Sequence, residues 1–313
     1  MPSRTAFASR RGSGSRWPPC GPASRRIESA NRTRTIPAPT MEVMASEPLR
    51  MEPEAPIKPN RFGRADLQVH TAHGDGMEDA RDIFERVELR GELDVVAITD
   101  HDDVRGALEA RDVHARAHYH FELITGSEVT TLQGHLLALW IDVPIPSFRS
   151  LEATVAAIHR AGGLAVVPHP FSALTRSVGR RSLERVLAIE DATTHPDGIE
   201  LANPTSMGWD TGPRARRLNA TRYHLAETGG SDAHFAEAVG NAYTLFPGHD
   251  AASLRTAILE RRTSGIIEQG TPLRAIGVRR LLLQQVRGLA VTPRKVLGPA
   301  AARLRDRVRG GLA

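Results

Sequence analysis

The sequence predicts an α/β barrel. Strand-like apolar runs alternate with helix-like segments from Asp66 to Phe246, an order that gives a largely parallel sheet with crossover helices. About seven such repeats favour closing that sheet over leaving it open. Run after run ends in His, Asp or Glu, and in a parallel barrel those ends converge on one face.

The first strand, Asp66–Thr71, alternates Leu67 and Val69 with Asp66, Gln68 and His70, then breaks on Gly74-Asp75-Gly76. It delivers His70, His73 and Asp75 to one rim, and divalent cations accept all three residue types as ligands. A helix over Glu78–Leu89 leads to the strand Val95–His101, where Val95-Val-Ala-Ile98 gives way to Thr99-Asp-His-Asp-Asp103. The helix Val104–His118 precedes Leu123–Thr130, which carries Gly126-Ser-Glu128. His135–Ile141 follows too closely for a crossover, so an antiparallel hairpin is expected there. The helix Ser150–Ala161 is followed by Leu164–His169, and Arg181–Ile189 by Gly198–Asn203. Pro213–Ala220 then leads to His224–Asp232, ending in Gly229-Gly-Ser-Asp232-Ala-His234. The strand Ala242–Phe246 and the helix Ala251–Arg262 complete the rhythm.

Composition narrows the function classes. A hydrophobic share of 40% and a charged share of 25% suit a soluble globular chain. No run of 18 apolar residues is present and the N-terminus lacks the apolar core of a secretory signal, so neither a membrane span nor export is expected. The single cysteine, Cys20, excludes an internal disulfide framework and thiolate zinc sites, leaving His, Asp and Glu to hold any metal in a cytoplasmic setting. Charge is unevenly placed: residues 1–60 hold ten Lys/Arg against five Asp/Glu, 271–313 hold ten against one, and 61–270 is net −9. An acidic body suits a site that gathers cations. Residues 1–60, rich in Arg, Ser, Pro and Gly, are expected to be a disordered extension, 61–270 the barrel, and 271–313 a basic helical tail. In that tail Leu281, Leu282, Leu283 and Val286 lie beside Arg279, Arg280 and Arg287. It reads either as a helix packed on the barrel with solvated arginines, or as one lying on an acidic membrane or nucleic acid.

Taken as a set, Asp66–Gly76, Thr99-Asp-His101, Gly126-Ser-Glu128, Pro168-His169-Pro170 and Ser231-Asp-Ala-His234 resemble, in order, the motifs of the PHP (polymerase and histidinol phosphatase) superfamily. The resemblance covers roughly Arg64 to Phe246 and implies a distorted seven-stranded (β/α) barrel with a site for two or three divalent ions, Zn, Mn or Fe. It implies one ion on His70, Glu128 and Asp232, a second on Glu128, His135 and His169, and a third on Asp75, His101 and His234. Asp100 is expected to orient a ligand histidine from behind. The first family motif usually reads Asp-x-His-x-His, whereas Gln68 stands here at the first histidine position. An amide oxygen is a weaker ligand than imidazole, so two firm ions and a weaker third are expected, with Gln68 or His73 as the weak ligand.

The implied activity is metal-dependent phosphoesterase chemistry, with Glu128, Asp232 and Asp100 in catalytic roles. Water between two cations ionises near neutral pH and becomes the nucleophile, while the cations neutralise charge on the phosphoryl oxygens. The substrate would be a nucleotide, an oligonucleotide end cleaved as by a 5′-3′ exonuclease, or a small phosphorylated metabolite. Arg176, Glu200 and Asn203 are candidates for contacting it. Two other readings compete: an ester or carbamate hydrolase on the same fold, and a degenerate barrel that only binds. His114, His118 and His159 on helices, and His120, His195 and His249 in turns, are read as structural.

Overall fold

The computed structural model describes residues 62–290 apart from 174, 206–211 and 269. The extension expected over 1–60 and the last stretch of the basic tail, 291–313, lie outside the described residues. Nine strands form one sheet: β1 (Phe62–Val69), β2 (Val95–Ile98), β3 (Glu122–Thr130), β4 (His135–Leu139), β5 (Leu164–Val167), β6 (Gly198–Ala202), β7 (Ala226–Gly229), β8 (Ala242–Pro247) and β9 (Ser264–Ile267). The helices are α1 (Ala80–Arg90), α2 (Arg105–His114), α3 (Leu151–Arg160), α4 (Arg180–Leu187), α5 (Gly212–Leu218), α6 (Ala251–Leu259), α7 (Leu273–Ile276) and α8, residues 278–290. Several begin where local chemistry demands it. Asp79, Ser150 and Asp250 accept the backbone N–H of Asp82, Ala153 and Ser253 and so cap α1, α3 and α6, and Gly91, at φ 61°, ends α1.

The strand order is β7-β6-β5-β4-β3-β2-β1-β8-β9. The expected hairpin is present, β4 running antiparallel to both β3 and β5. Two features depart from the expected pattern. β8 is antiparallel to β1 and to β9, and β9 lies beyond the last expected strand. The sheet nearly closes on itself at the β7/β8 seam by side-chain bonding: Thr244 Oγ1 accepts the Gly229 N–H at 2.9 Å and donates to the Gly229 carbonyl, also at 2.9 Å. Glycine is needed there, because a Cβ on Gly229 would stand 2.5 Å from the Tyr243 carbonyl oxygen.

Leu67, Val95, Ile124, Leu137, Val166 and Phe246 converge from different strands and pack against α6 in one apolar cluster. Two further clusters join α1 and α2 to Val96 and Ile98, and α3, α4 and α5 to Ala165, Val167 and Ile199. Each fully buried Leu, Ile, Val or Phe contributes about 1.5–3 kcal/mol. That packing is the rigid frame on which the polar rim is built.

Candidate metal centre

The polar rim assembles from loops and strand ends that are far apart in the chain. His70 follows β1, His101 follows β2, Glu128 lies in β3, His135 opens β4, His169 follows β5, and Asp232 and His234 follow β7. Asp75 comes from the loop between β1 and α1, where Gly76 lets the chain fold back on itself: a Cβ there would be 2.2 Å from the His70 carbonyl oxygen. Glu128, 1% exposed, sits at the centre. Its Oε1 lies 2.7 Å from His135 Nδ1 and 3.1 Å from His169 Nε2, and its Oε2 3.2 Å from His70 Nε2 and 3.6 Å from His101 Nδ1. Asp232 Oδ1 is 3.2 Å from His70 Nε2. On the far side Asp75 Oδ2 is 3.2 Å from His234 Nε2 and 3.8 Å from His101 Nε2.

Among the described residues, three groupings have candidate ligand atoms all within 4.8 Å of one another: His70 with Asp75, His101 and His234; His101 with Glu128 and His135; and His70 with Glu128 and Asp232. The first joins His70 to the expected Asp75, His101 and His234. The second contains His101 in place of the expected His169, although His169 keeps its contact with Glu128.

The donor set fits cations. His70 Nδ1 and Nε2, Asp75 Oδ1 and His101 Nδ1 are buried with no hydrogen-bond partner, an unusual concentration of orphaned polar atoms. The tautomers point the same way. His234 Nδ1 lies 2.9 Å from the Asp232 carbonyl, which can only accept, so Nδ1 carries the proton and Nε2 turns its lone pair toward Asp75. Ser177 Oγ donates to the His169 carbonyl at 2.6 Å, so it accepts from His169 Nδ1 at 2.8 Å and leaves Nε2 facing Glu128. A nitrogen lone pair facing a carboxylate needs a positive charge in the gap, either a proton or a metal ion. Ligand atoms sharing one cation at about 2.1 Å lie roughly 3 to 3.5 Å apart, which matches this spacing.

The titration behaviour records the same need. Burial alone would lower His70, but the facing carboxylates of Asp232, Glu128 and Asp75 raise it well above the usual histidine value. His169, also pulled down by burial, is lifted to about 9 by Glu128, Asp232 and Glu200. His101, held between other histidines and most affected by burial, falls to about 4. Burial would raise Asp75, yet His234, His70 and His101 hold it well below the usual carboxylate range.

Several buried side chains hold the cluster in place. Asp66 accepts from Ser231 N at 2.9 Å, Ser231 Oγ at 2.5 Å and Gly240 N at 2.8 Å, tying β1 to the segment that carries Asp232. Burial nevertheless pushes its carboxyl up to about 6. Asp232 and His169 have positive φ, 51° and 30°, a strained conformation for non-glycine residues. Glu200 offsets this at His169 by accepting its N–H at 2.8 Å, and Thr205 Oγ1 donates to Asp232 Oδ2 at 3.0 Å. Asp100 accepts from Thr71 N at 2.8 Å and Thr71 Oγ1 at 2.7 Å, bracing the loop that leads to Asp75.

Other expected residues lie elsewhere. His73 pairs with Asp103 at 3.2 Å and Glu109 at 3.3 Å and is in none of the three groupings, because the turn after Thr71 carries it toward α2. Gln68 presents its amide nitrogen to Glu128 Oε2 at 3.0 Å, so its role here is that of a donor. The Arg176 guanidinium lies 5.5 Å above the Phe148 ring, while its carbonyl accepts the His135 N–H. Asn203 donates to Glu200 and accepts the Thr205 backbone N–H, as a brace. Among the histidines read as structural, His159 pairs with Asp197 and His120 with Glu88.

A cavity of ≈ 380 Å³ adjoins Asp232 and His234 and is walled by Thr205, Phe235, Asn241, Ile276, Leu281 and Gln284, among others. A second, of ≈ 440 Å³ and lined by Arg86, Arg90, Glu237 and Asn241, contains no member of the cluster. The first wall includes α8, in which two of the arginines expected to be solvated are bonded instead. In α8 Arg280 pairs with Glu78 and Glu237, and Arg287 bonds to the loop before α1, while Val278, Leu282, Val286 and Leu289 are exposed. A local charge pattern carries no information about such distant acceptors.

Residues 213–263 match the family model described as PHP-associated. The chain is 32% identical over 151 residues to the uncharacterized protein MJ1587 of Methanocaldococcus jannaschii, covering 45% of this chain and 81% of that one. It is 28% identical over 185 residues to MJ0417 of the same organism, covering 58% and 70%. Among solved structures it is similar to a two-domain protein from Bacteroides vulgatus containing a predicted PHP-like metal-dependent phosphoesterase (TM-score 0.53, 18% identity, 66% of this chain and 65% of that chain). It is also similar to PsfC from Pseudomonas syringae (TM-score 0.51, 19% identity, 74% and 99%). The nearly closed barrel with its His/Asp/Glu rim, together with these matches, places the chain in the PHP superfamily.

Proposed function

We propose that the chain is a metal-dependent hydrolase that cleaves phosphate esters. The observation that carries this reading is the buried His/Asp/Glu cluster whose facing lone pairs require added positive charge. Glu128 is the shared carboxylate between His101 and His135 on one side and His70 and Asp232 on the other, with His169 completing the first. Asp75 and His234 extend the cluster toward α8. Divalent cations held there would supply a nucleophile from water near neutral pH and offset charge on phosphoryl oxygens. The protein's own part is to hold these atoms, to fix the His169 and His234 tautomers from behind, and to present a cavity beside Asp232 and His234 for the substrate. Likeness to a fold that holds a predicted phosphoesterase in Bacteroides vulgatus supports the bond type. A nucleotide, an oligonucleotide end or a small phosphorylated metabolite is the substrate class.

The test is release of 4-nitrophenol from bis(4-nitrophenyl) phosphate and 4-nitrophenyl phosphate, with added Mn or Zn and with chelator. Metal-dependent turnover supports the reading, and inertness of the metal-loaded protein across both esters ends it. One observation favours a second reading. No Lys or Arg is among the described residues that line the cavity, and the Arg176 guanidinium is engaged with Phe148. A carboxylic ester or carbamate needs no cationic clamp. Faster turnover of 4-nitrophenyl acetate than of either phosphate ester would select that reading.

A further inference from the structure

Helix α8 belongs to the tail, yet its inward face meets the loop that carries Asp75. Arg287 donates to the carbonyl oxygens of Ala72 at 2.9 Å and Gly74 at 3.4 Å. One turn away Gln284 is buried and Leu281 lines the cavity beside His234. At the other end of the loop Arg280 binds Glu78, whose other carboxylate oxygen accepts the Ala236 N–H at 2.9 Å, and Arg280 also reaches Glu237 at 2.8 Å. The loop is fastened by its backbone as well, through Met77 N to the His234 carbonyl at 2.9 Å. Finally, the helix comes so near that a Cβ on Gly288 would be 3.1 Å from Asp75 Oδ2.

These contacts bracket residues 72–78 with Asp75 in the middle. Carbonyl oxygens fixed by a guanidinium cannot rotate freely, so the helix sets the peptide planes that follow Ala72 and Gly74, the second of which leads directly into Asp75. We infer that Arg287 and Arg280 are positioning residues for Asp75, making α8 a working part of the metal centre. This rests on the reading of Asp75 as a metal ligand. The helix acts on the Asp75 flank alone, since Glu128, His135 and His169 are carried by β3, β4 and the end of β5.

The test uses the full-length chain, freed of metal by chelator and titrated with Co(II), read by calorimetry and by the cobalt visible absorption. Arg287→Ala should bind one equivalent fewer, or bind it roughly tenfold more weakly, with a changed absorption band and unaltered circular dichroism. Arg287→Lys should restore part of that affinity, because an ammonium still donates to a carbonyl. Gly288→Ala supplies an approach that leaves both arginines intact. It raises helix propensity by about 1 kcal/mol, yet should weaken the same equivalent by crowding the carboxylate. Arg279→Ala, on the exposed side, should match the wild type. If Arg287→Ala and Gly288→Ala both load cobalt with wild-type stoichiometry and affinity, or lose every equivalent to the same degree, the role of α8 is refuted. A wild-type chain that takes up no cobalt overturns the metal reading and this inference together.

Discussion

The two flanks of the cluster are built differently. On one, Glu128 lies within β3, paired in register with Leu137 of β4, and its neighbour His135 is the first residue of that strand. Two adjacent strands fix these side chains through the backbone ladder, and the apolar cluster beneath them is closely packed. On the other flank Asp75 stands in a loop outside any strand ladder, held by a few backbone bonds such as Met77 N to the His234 carbonyl and by side chains: Asp100 on Thr71, Glu78 on Ala236, and arginines from α8. The ladder-held flank tolerates little movement. The loop-held flank depends on few bonds, any one of which can be removed without disturbing the sheet.

The largest effect is expected on the ladder-held flank. Glu128→Gln removes the carboxylate shared by two groupings, and should cost roughly 10³-fold in hydrolysis and most of the bound metal, read by initial rates and elemental analysis. Retention of both would mean that Glu128 is not shared. Asp75→Asn should be milder, about 10²-fold in rate with loss of one equivalent only, because Glu128 and its histidines stay assembled. Equal losses in the two variants would erase the distinction between the flanks.

Asp66→Asn tests a brace that belongs to neither flank directly. It breaks the charged bonds to Ser231 and Gly240, and should cost about 1–3 kcal/mol in denaturant unfolding and weaken metal affinity around Asp232. The smallest effect concerns Glu200, whose carboxyl is raised by burial to about 8 from its ordinary value of 4.5. The folded chain therefore binds an extra proton between these values, so this group's contribution to stability declines as pH rises through that window. Glu200→Gln should flatten the fall in Tm of the metal-free protein between pH 6 and 8. The residual slope belongs to the raised histidines, His169 at about 9 together with His70 and His234, whose stabilisation is complete below the ordinary histidine value and lost as pH climbs above it. An unchanged slope would show that Glu200 does not titrate there.

Much of the ladder-held flank is legible in the chain itself. Apolar runs closing on Glu128, His169 or Asp232 mark strand ends, and strand ends of a barrel share a rim. The hairpin at His135 follows from spacing alone. What is not legible is what sequence separation hides. The antiparallel course of β8 depends on its partner β1, which lies more than a hundred positions earlier, and β9 is too short and too exposed at Ser264 and Ile267 to stand out. His73 sits in the same turn as Asp75 and has the same ligand chemistry, and only the path of the chain sends it to Asp103 and Glu109. Gln68 reads in the sequence as an oxygen ligand, whereas its nitrogen faces Glu128. The inward arginines of α8 find acceptors some 200 residues upstream, beyond the reach of any local pattern.

The most direct measurement is anomalous diffraction at the manganese edge from crystals of the full chain grown with Mn(II). At least two peaks are expected within bonding distance of Glu128, His70 and Asp75, with His169 and His234 coordinating through Nε2. Manganese bound away from these residues, or no peak among them at saturating metal, would contradict a metal centre built on this cluster.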